Sequence, residues 1–234
     1  MAINIDTLKT RALTALIFVA LMLAGLLWNE WSFLGLFILI HFGCWYEFNR
    51  LIKKIYGEKY LPYTLLGLVY ITLPICMMTD LRSNWIHPEG STTADNFGNT
   101  IPIAIIFSIW VNDTMAYLVG SFIGRTPFSS ISPKKTWEGT IGGAILCVAA
   151  IGFIFPPLAE RFFSPRGERH TYFIIAAICA VFGTVGDLLE SKLKRSANMK
   201  DSGSILPGHG GFLDRFDSLL VATPIVWLYI KLFV

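Results

Sequence analysis

Acidic residues with basic neighbours are concentrated in two polar stretches of an otherwise apolar chain. The later one opens with GDLLESKLKR, 186–195, and continues through KDSGSILPGHGGFLDRFDS, 200–218. Asp187, Glu190 and Lys194 are spaced i, i+3, i+7, which lines up two carboxylates and an ammonium along one helix face. Asp214 and Asp217 repeat the i, i+3 spacing, and Arg195, Lys200, Asp201 and Arg215 lie among these acids. Carboxylates without a matching set of His and Cys ligands suit hard, oxygen-loving cations rather than zinc. Basic residues beside them suit a polyanion. Together they are what phosphoryl or nucleotidyl transfer asks for, with metals bridging phosphate oxygens and Lys and Arg taking the remaining charge.

Between the two acid pairs, PGHGG places Gly208, Gly210 and Gly211 where a backbone can adopt positive φ and form an anion nest. A flexible loop would have the same composition, but the flanking acids favour a site. His209 is read as a phosphate contact or as support for a neighbouring carboxylate, and not as a base.

The earlier polar region lies within WVNDTMAYLVGSFIGRTPFSSISPKKTWEGTIGG, 110–143. Asp113 stands inside an apolar run, where a carboxylate is costly unless paired or wetted. Helical spacing puts Tyr117, Gly120 and Gly124 on its face, so small residues beside it would allow close helix approach. A buried structural carboxylate is the alternative reading. In SPKKTWEG, Ser132, Lys134, Lys135 and Thr136 bring two point charges and several donors to the start of a helix, an arrangement that suits an anion. Juxtamembrane lysines also serve as topology signals or as contacts to anionic lipid.

The elements that must carry these groups follow from composition. Of 234 residues, 54% are hydrophobic and only 15% charged, with a clearly positive mean hydropathy. Soluble domains carry about a quarter of their residues as charges, so a membrane-embedded chain is the better reading. The apolar residues fall in blocks at 11–28, 31–49, 61–79, 101–124, 139–158, 171–190 and 217–234, each near the ~20 residues a spanning helix needs. The expected fold is an all-α, polytopic membrane bundle of about seven helices. Its organisation is read as N-terminal membrane helices, 1–100, and a catalytic core, 101–234, within one integrated membrane domain.

With the N-terminus inside, 14 of the 19 basic residues fall on inner segments, which places both polar regions on the cytoplasmic face. Cys44, Cys76, Cys147 and Cys179 each sit alone in an apolar block, so they read as small buried hydrophobes. A net charge of +3, with its clustering explained by topology, gives no indication of nucleic-acid binding. The expected partner surface is the lipid bilayer.

The stretch SKLKRSANMKDSGSILPGHGGFLDRFD, 191–217, resembles the signature of the phosphatidate cytidylyltransferases, also called CDP-diacylglycerol synthases. NDTMAYLVGSFIGR and SPKKTWEGTIGG are similar to other blocks of that family, so the resemblance extends from residue 110 to the C-terminus. It implies the reaction of CTP with phosphatidate to give CDP-diacylglycerol and pyrophosphate, with Mg2+ required and a second cation such as K+ in some members. By motif position Asp187 and Asp214 would be the metal-binding aspartates. Asp217 and Asp113 are further candidates, with Glu190, Asp201 and Tyr117 in support. Lys194, Arg195, Lys200 and Arg215, with Lys134 and Lys135, would neutralise the phosphates. Members of the family can be dimeric, so a homodimer belongs among the expected assemblies, and the expected location is a bacterial inner membrane. Two other functions fit parts of the pattern. One is a related CTP-using lipid enzyme, such as a CDP-archaeol synthase or a polyprenol or phytol kinase, and the other is an ion-coupled transporter.

Overall fold

The computed structural model describes residues 5–83, 100–163, 168–203, 205 and 210–234, and His209 and Gly208 lie outside them. The main helices are α1 (Ile5–Leu27), α2 (Glu30–Tyr56), α3 (Leu61–Thr64), α4 (Leu73–Ser83), α5 (Thr100–Ile123), α6 (Trp137–Phe163), α7 (His170–Ser196) and α8 (Leu213–Phe233). No strand is present among the described residues. A π-helical stretch, Leu68–Thr72, joins directly to α4, so Leu61–Ser83 forms one apolar crossing. The all-α membrane architecture is therefore as expected.

Six of the described helical segments are long and apolar enough to span a bilayer. The expected first span is also helical and lies within α1 (Ile5–Leu27). Large side chains such as Phe122, Ile145 and Phe153 lie exposed on the surface, as lipid-facing residues would.

Several helices outrun their apolar blocks, three of them at the polar stretches. α2 continues beyond residue 49 to Tyr56, burying Leu51 and Ile52 on one side while Lys53 and Lys54 stay exposed on the other. It stops at Gly57, whose φ of 58° is open to glycine and whose N–H closes the last turn on the Lys53 carbonyl. α7 extends past 190 to Ser196, and α8 begins at Leu213 rather than 217. Loss of apolarity ends the membrane segment; it does not end the helix, because amphipathic turns remain good helix formers. Both aspartates of the later pair consequently sit at the N-terminal end of α8.

Two compact units make up the chain. The first comprises Met1–Thr72 with Lys192–Phe216, and the second Leu73–Ser191 with Asp217–Val234. In the first unit, α1 turns into α2 through a reciprocal cap, in which Asn29 Oδ1 accepts from Ser32 N and Ser32 Oγ accepts from Asn29 N. Met22, Leu26, Phe33, Phe37 and Ile40 are buried where these helices pack.

The second unit is organised by the close crossing of α5 and α6. A Cβ added at Gly143 would lie 2.6 Å from the Ala116 backbone nitrogen, and one at Gly139 would lie 2.7 Å from the Ala116 carbonyl oxygen. Small residues thus let two backbones meet, as the spacing of Gly120 from Asp113 led one to expect for α5. Elsewhere in this unit the buried Asp80 accepts from Trp227 Nε1 at 2.7 Å and pairs with Lys231 at 3.1 Å, which ties α4 to the far end of α8.

Gly143→Leu forces a branched side chain into backbone atoms that cannot move aside. We expect destabilisation of roughly 1–3 kcal/mol, read as a lowered Tm of the purified protein in detergent.

Candidate active site

The loop that precedes α6 is held in one shape by its own backbone and one carboxylate. Phe128 N donates to the Lys135 carbonyl at 2.8 Å, Trp137 N to the Thr126 carbonyl at 3.0 Å, and Lys135 N to the Ser132 carbonyl at 3.1 Å. Glu138, in the first turn of α6, accepts from the backbone N–H groups of Arg125 and Thr126 and from Thr126 Oγ1. Thr136 Oγ1 caps the helix by accepting from Gly139 N at 3.1 Å. These contacts leave Lys134 and Lys135 on a short, closed turn.

That turn faces a cavity of about 540 Å³ in the second unit, lined by Asp113, Tyr117, Ser132, Lys134, Lys135, Thr136 and Asp187 among others. Seven of the residues singled out by type and spacing therefore converge. Lys135 Nζ lies 2.6 Å from Asp187 Oδ2, with both side chains about one-third exposed. Asp113 is exposed along the cavity wall, which resolves the cost of a carboxylate in an apolar run by wetting. Asp217 is buried behind, within electrostatic reach of Asp187, Asp113 and Lys135, and its Oδ1 accepts from Ser218 N at 2.6 Å. Glu190 is fully buried in the same unit.

The first unit gathers the second set of predicted residues around Asp214. Its Oδ1 pairs with Lys194 Nζ at 2.6 Å. Its Oδ2 accepts from Ser202 N at 2.9 Å and from Gly211 N at 2.8 Å, and lies 2.9 Å from Ser202 Oγ, whose one proton it shares with Glu47 Oε2. Of the glycine turn, the described Gly211 N–H donates to the carboxylate of Asp214. Gly210 has φ of 86°, and a Cβ there would come within 2.7 Å of Asp214 Oδ2. Arg195, Lys200, Asp201 and Arg215 are exposed. Arg195 Nη1 makes only a long 3.5 Å contact to the Met199 carbonyl among the hydrogen bonds described here, so the basic groups stand at the solvent edge.

Two residues escaped the sequence reading. Asn112 is buried, lines the cavity and leaves its Oδ1 without a hydrogen-bond partner. Glu47, in the YEFNRL that closes the apolar part of α2, is fully buried, and its Oε2 accepts from Ser202 Oγ at 2.7 Å and Leu213 N at 2.9 Å. A Cβ on Gly211 would collide with this carboxylate. The signal for Glu47 was present as an acid within an apolar helix, as for Asp113. Its partners, more than 150 residues away in the chain, were not readable from spacing.

No group of three or more His, Cys, Asp and Glu side chains is arranged to enclose a metal ion among the described residues. The cavity instead offers two carboxylates, Asp113 and Asp187, and the unpartnered Asn112 oxygen. Such an oxygen set fits Mg2+, which binds through one or two carboxylates and completes its shell with water and substrate phosphate.

A family model described as "Cytidylyltransferase family" matches residues 88–233. The chain is 32% identical over 229 residues to the phosphatidate cytidylyltransferase of Rickettsia bellii (strain RML369-C), covering 95% of this chain and 90% of the relative. It is 33% identical over 224 residues to that of Rickettsia felis (strain ATCC VR-1525 / URRWXCal2), covering 93% and 89%. Against that of Bacillus subtilis (strain 168) it is 34% identical over 188 residues, covering 80% and 64%. The chain belongs to the cytidylyltransferase family.

Glu47→Ala removes the acceptor that holds Ser202 and the start of α8, leaving the buried Leu213 N–H unsatisfied and the Ser202 hydroxyl with Asp214 alone. We expect a loss of about 2–4 kcal/mol in stability. Glu47→Gln, which keeps an acceptor oxygen, should recover most of the Tm.

Proposed function

We propose that this chain transfers the cytidylyl group of CTP to phosphatidate, releasing pyrophosphate and forming CDP-diacylglycerol. The observation that carries this reading is the convergence of Asp113, Asp187, Lys134 and Lys135 on one cavity of nucleotide-accommodating size, in a chain whose relatives are named for that reaction.

Asp187, Asp113 and the Asn112 oxygen would hold Mg2+, whose chemistry would be to neutralise phosphate charge. Asp187 is the proposed metal aspartate of the cavity, with Asp113 and Asn112 as further oxygen donors and Asp217 as a buried counter-charge behind them. Asp214 is kept in the proposed metal set. Like Asp187, it holds a cationic group at one carboxylate oxygen at 2.6 Å, Lys194 in the one case and Lys135 in the other. Each carboxylate would help hold a divalent cation, which would supply positive charge to the nucleotide phosphates, with Lys135 and Lys194 beside it as phosphate donors. K+ as a second cation belongs to the same proposal.

Lys134, Lys135, Ser132 and the Thr136 hydroxyl supply donors to the phosphates in the cavity. His209, Gly210 and Gly211 are the further phosphate contacts inferred from the motif. Arg195, Lys200 and Arg215 contribute positive potential from the solvent edge.

An oxygen of the phosphatidate phosphate attacks the α-phosphorus of CTP. The new P–O bond forms as the α–β bridging bond breaks, and the electron pair leaves with pyrophosphate. The nucleophile is already an anion, so no proton need be removed. Catalysis rests on positioning two anions and neutralising their charge. The proposed setting is a bacterial inner membrane with the cavity opening to the cytoplasm, so that acyl chains remain in lipid while the headgroup reaches the nucleotide.

The test is purified protein in detergent with CTP, phosphatidate and Mg2+, followed by pyrophosphate release. Asp187→Asn should lower turnover by about 100-fold or more while eluting as the wild type does, and near-normal turnover would overturn the assignment. Chelation should abolish activity, and added Mg2+ should restore it. Lys135→Ala should raise the KM for CTP. Replacing phosphatidate by archaeal or polyprenol acceptors, and measuring ion flux across proteoliposomes without CTP, separates the other functions.

A further inference from the structure

A second, more open cavity of about 790 Å³ lies in the first unit, at the polar end of α2. Arg50, Lys53 and Lys54 line it together with Tyr46, Asn49 and Tyr60, and it shares no residue with the cavity assigned to CTP. All three basic side chains are exposed, and none makes an ion pair among the described residues. No acid lines the cavity. Three like charges within two helical turns repel one another unless water or an anion offsets them. The Lys53 ammonium lies over the Tyr60 ring, 5.6 Å from its centroid, which holds it against this wall.

The surroundings decide which anion suits it. The apolar run of α2 ends immediately before Asn49, so the cavity falls where a spanning helix meets the headgroup layer. Tyr56 and Tyr63 stack with their rings 3.7 Å apart in the same region, as aromatic residues do at that depth. Leu61 and Leu65 are well exposed beside it. A soluble polyanion would leave those leucines in water. An anionic lipid would cover them with acyl chain while its phosphate meets the cations.

We propose that this cavity binds the phosphate headgroup of an anionic membrane lipid, contacted by Arg50, Lys53 and Lys54 and retained by its acyl chains along Leu61 and Leu65. Basic residues that act only as a topology signal need no cavity and no adjoining apolar strip. The proposal does not depend on the cytidylyl-transfer reading, because it concerns binding without CTP.

The test compares lipid retention by wild-type protein and by the triple variant Arg50→Gln, Lys53→Gln, Lys54→Gln. Native mass spectrometry is used, titrating with phosphatidylglycerol and phosphatidylcholine, neither of which is the proposed substrate. Wild type should retain phosphatidylglycerol in preference to phosphatidylcholine, and the variant should retain it on the order of a hundredfold less well. Equal retention by the variant, or no preference for anionic lipid in the wild type, would overturn the proposal. Displacement of the lipid by millimolar inorganic phosphate would assign the cavity to the free ion instead, and so also overturn it. Should the triple variant not purify as a single species, Lys54→Glu alone decides, with a severalfold loss expected. An unchanged elution profile and Tm of the variant show that its fold is intact.

Discussion

A charge withdrawn from water must have a partner, and the arrangement around Asp214 shows how much structure that demand generates. Its carboxylate takes an ammonium on one oxygen and, on the other, two N–H donors and the shared Ser202 hydroxyl. Those donors come from the segment before the glycine turn and from the turn itself. One acid therefore folds the polar stretch back onto the start of α8. Glu47 acts from beneath, accepting from Ser202 and from the first N–H of α8. Glycine is required at 211 because a side chain there would occupy the space of the Glu47 carboxylate.

The second unit solves the same problem with a looser pairing. Lys135 and Asp187 meet at 2.6 Å beside a cavity open enough to admit water, so their attraction is moderate and exchangeable. That property suits a site in which metal and phosphate compete for the same groups. The crossing of α5 and α6 at glycine provides the frame, and Glu138 keeps the lysine turn closed against it. Rigid backbone contacts thus carry groups whose partners can change.

Much of this was legible from residue type and spacing. The apolar blocks predicted the helices, because hydrocarbon thickness imposes a length and unpaired backbone groups are not tolerated there. Asp113, Asp187 and the Lys134–Lys135 turn could be picked out because charges are rare in such a chain. The helix ends were less legible: α2, α7 and α8 run on where amphipathic turns replace apolar ones. The glycine turn was read as a cradle for phosphate. Its described amide goes to Asp214, a partner that only the fold could bring into register.

By itself, then, the order of residues determined that the chain is helical and membrane-embedded, and which polar groups are rare enough to demand a purpose. Those properties depend on local composition and on helical periods, both contained in short stretches. Tertiary structure decided which cation meets which carboxylate, that Asn112 enters the cavity and that Glu47 supports the start of α8. Such pairings join positions far apart in the chain, and their strength depends on burial and distance, which neither spacing nor composition encodes.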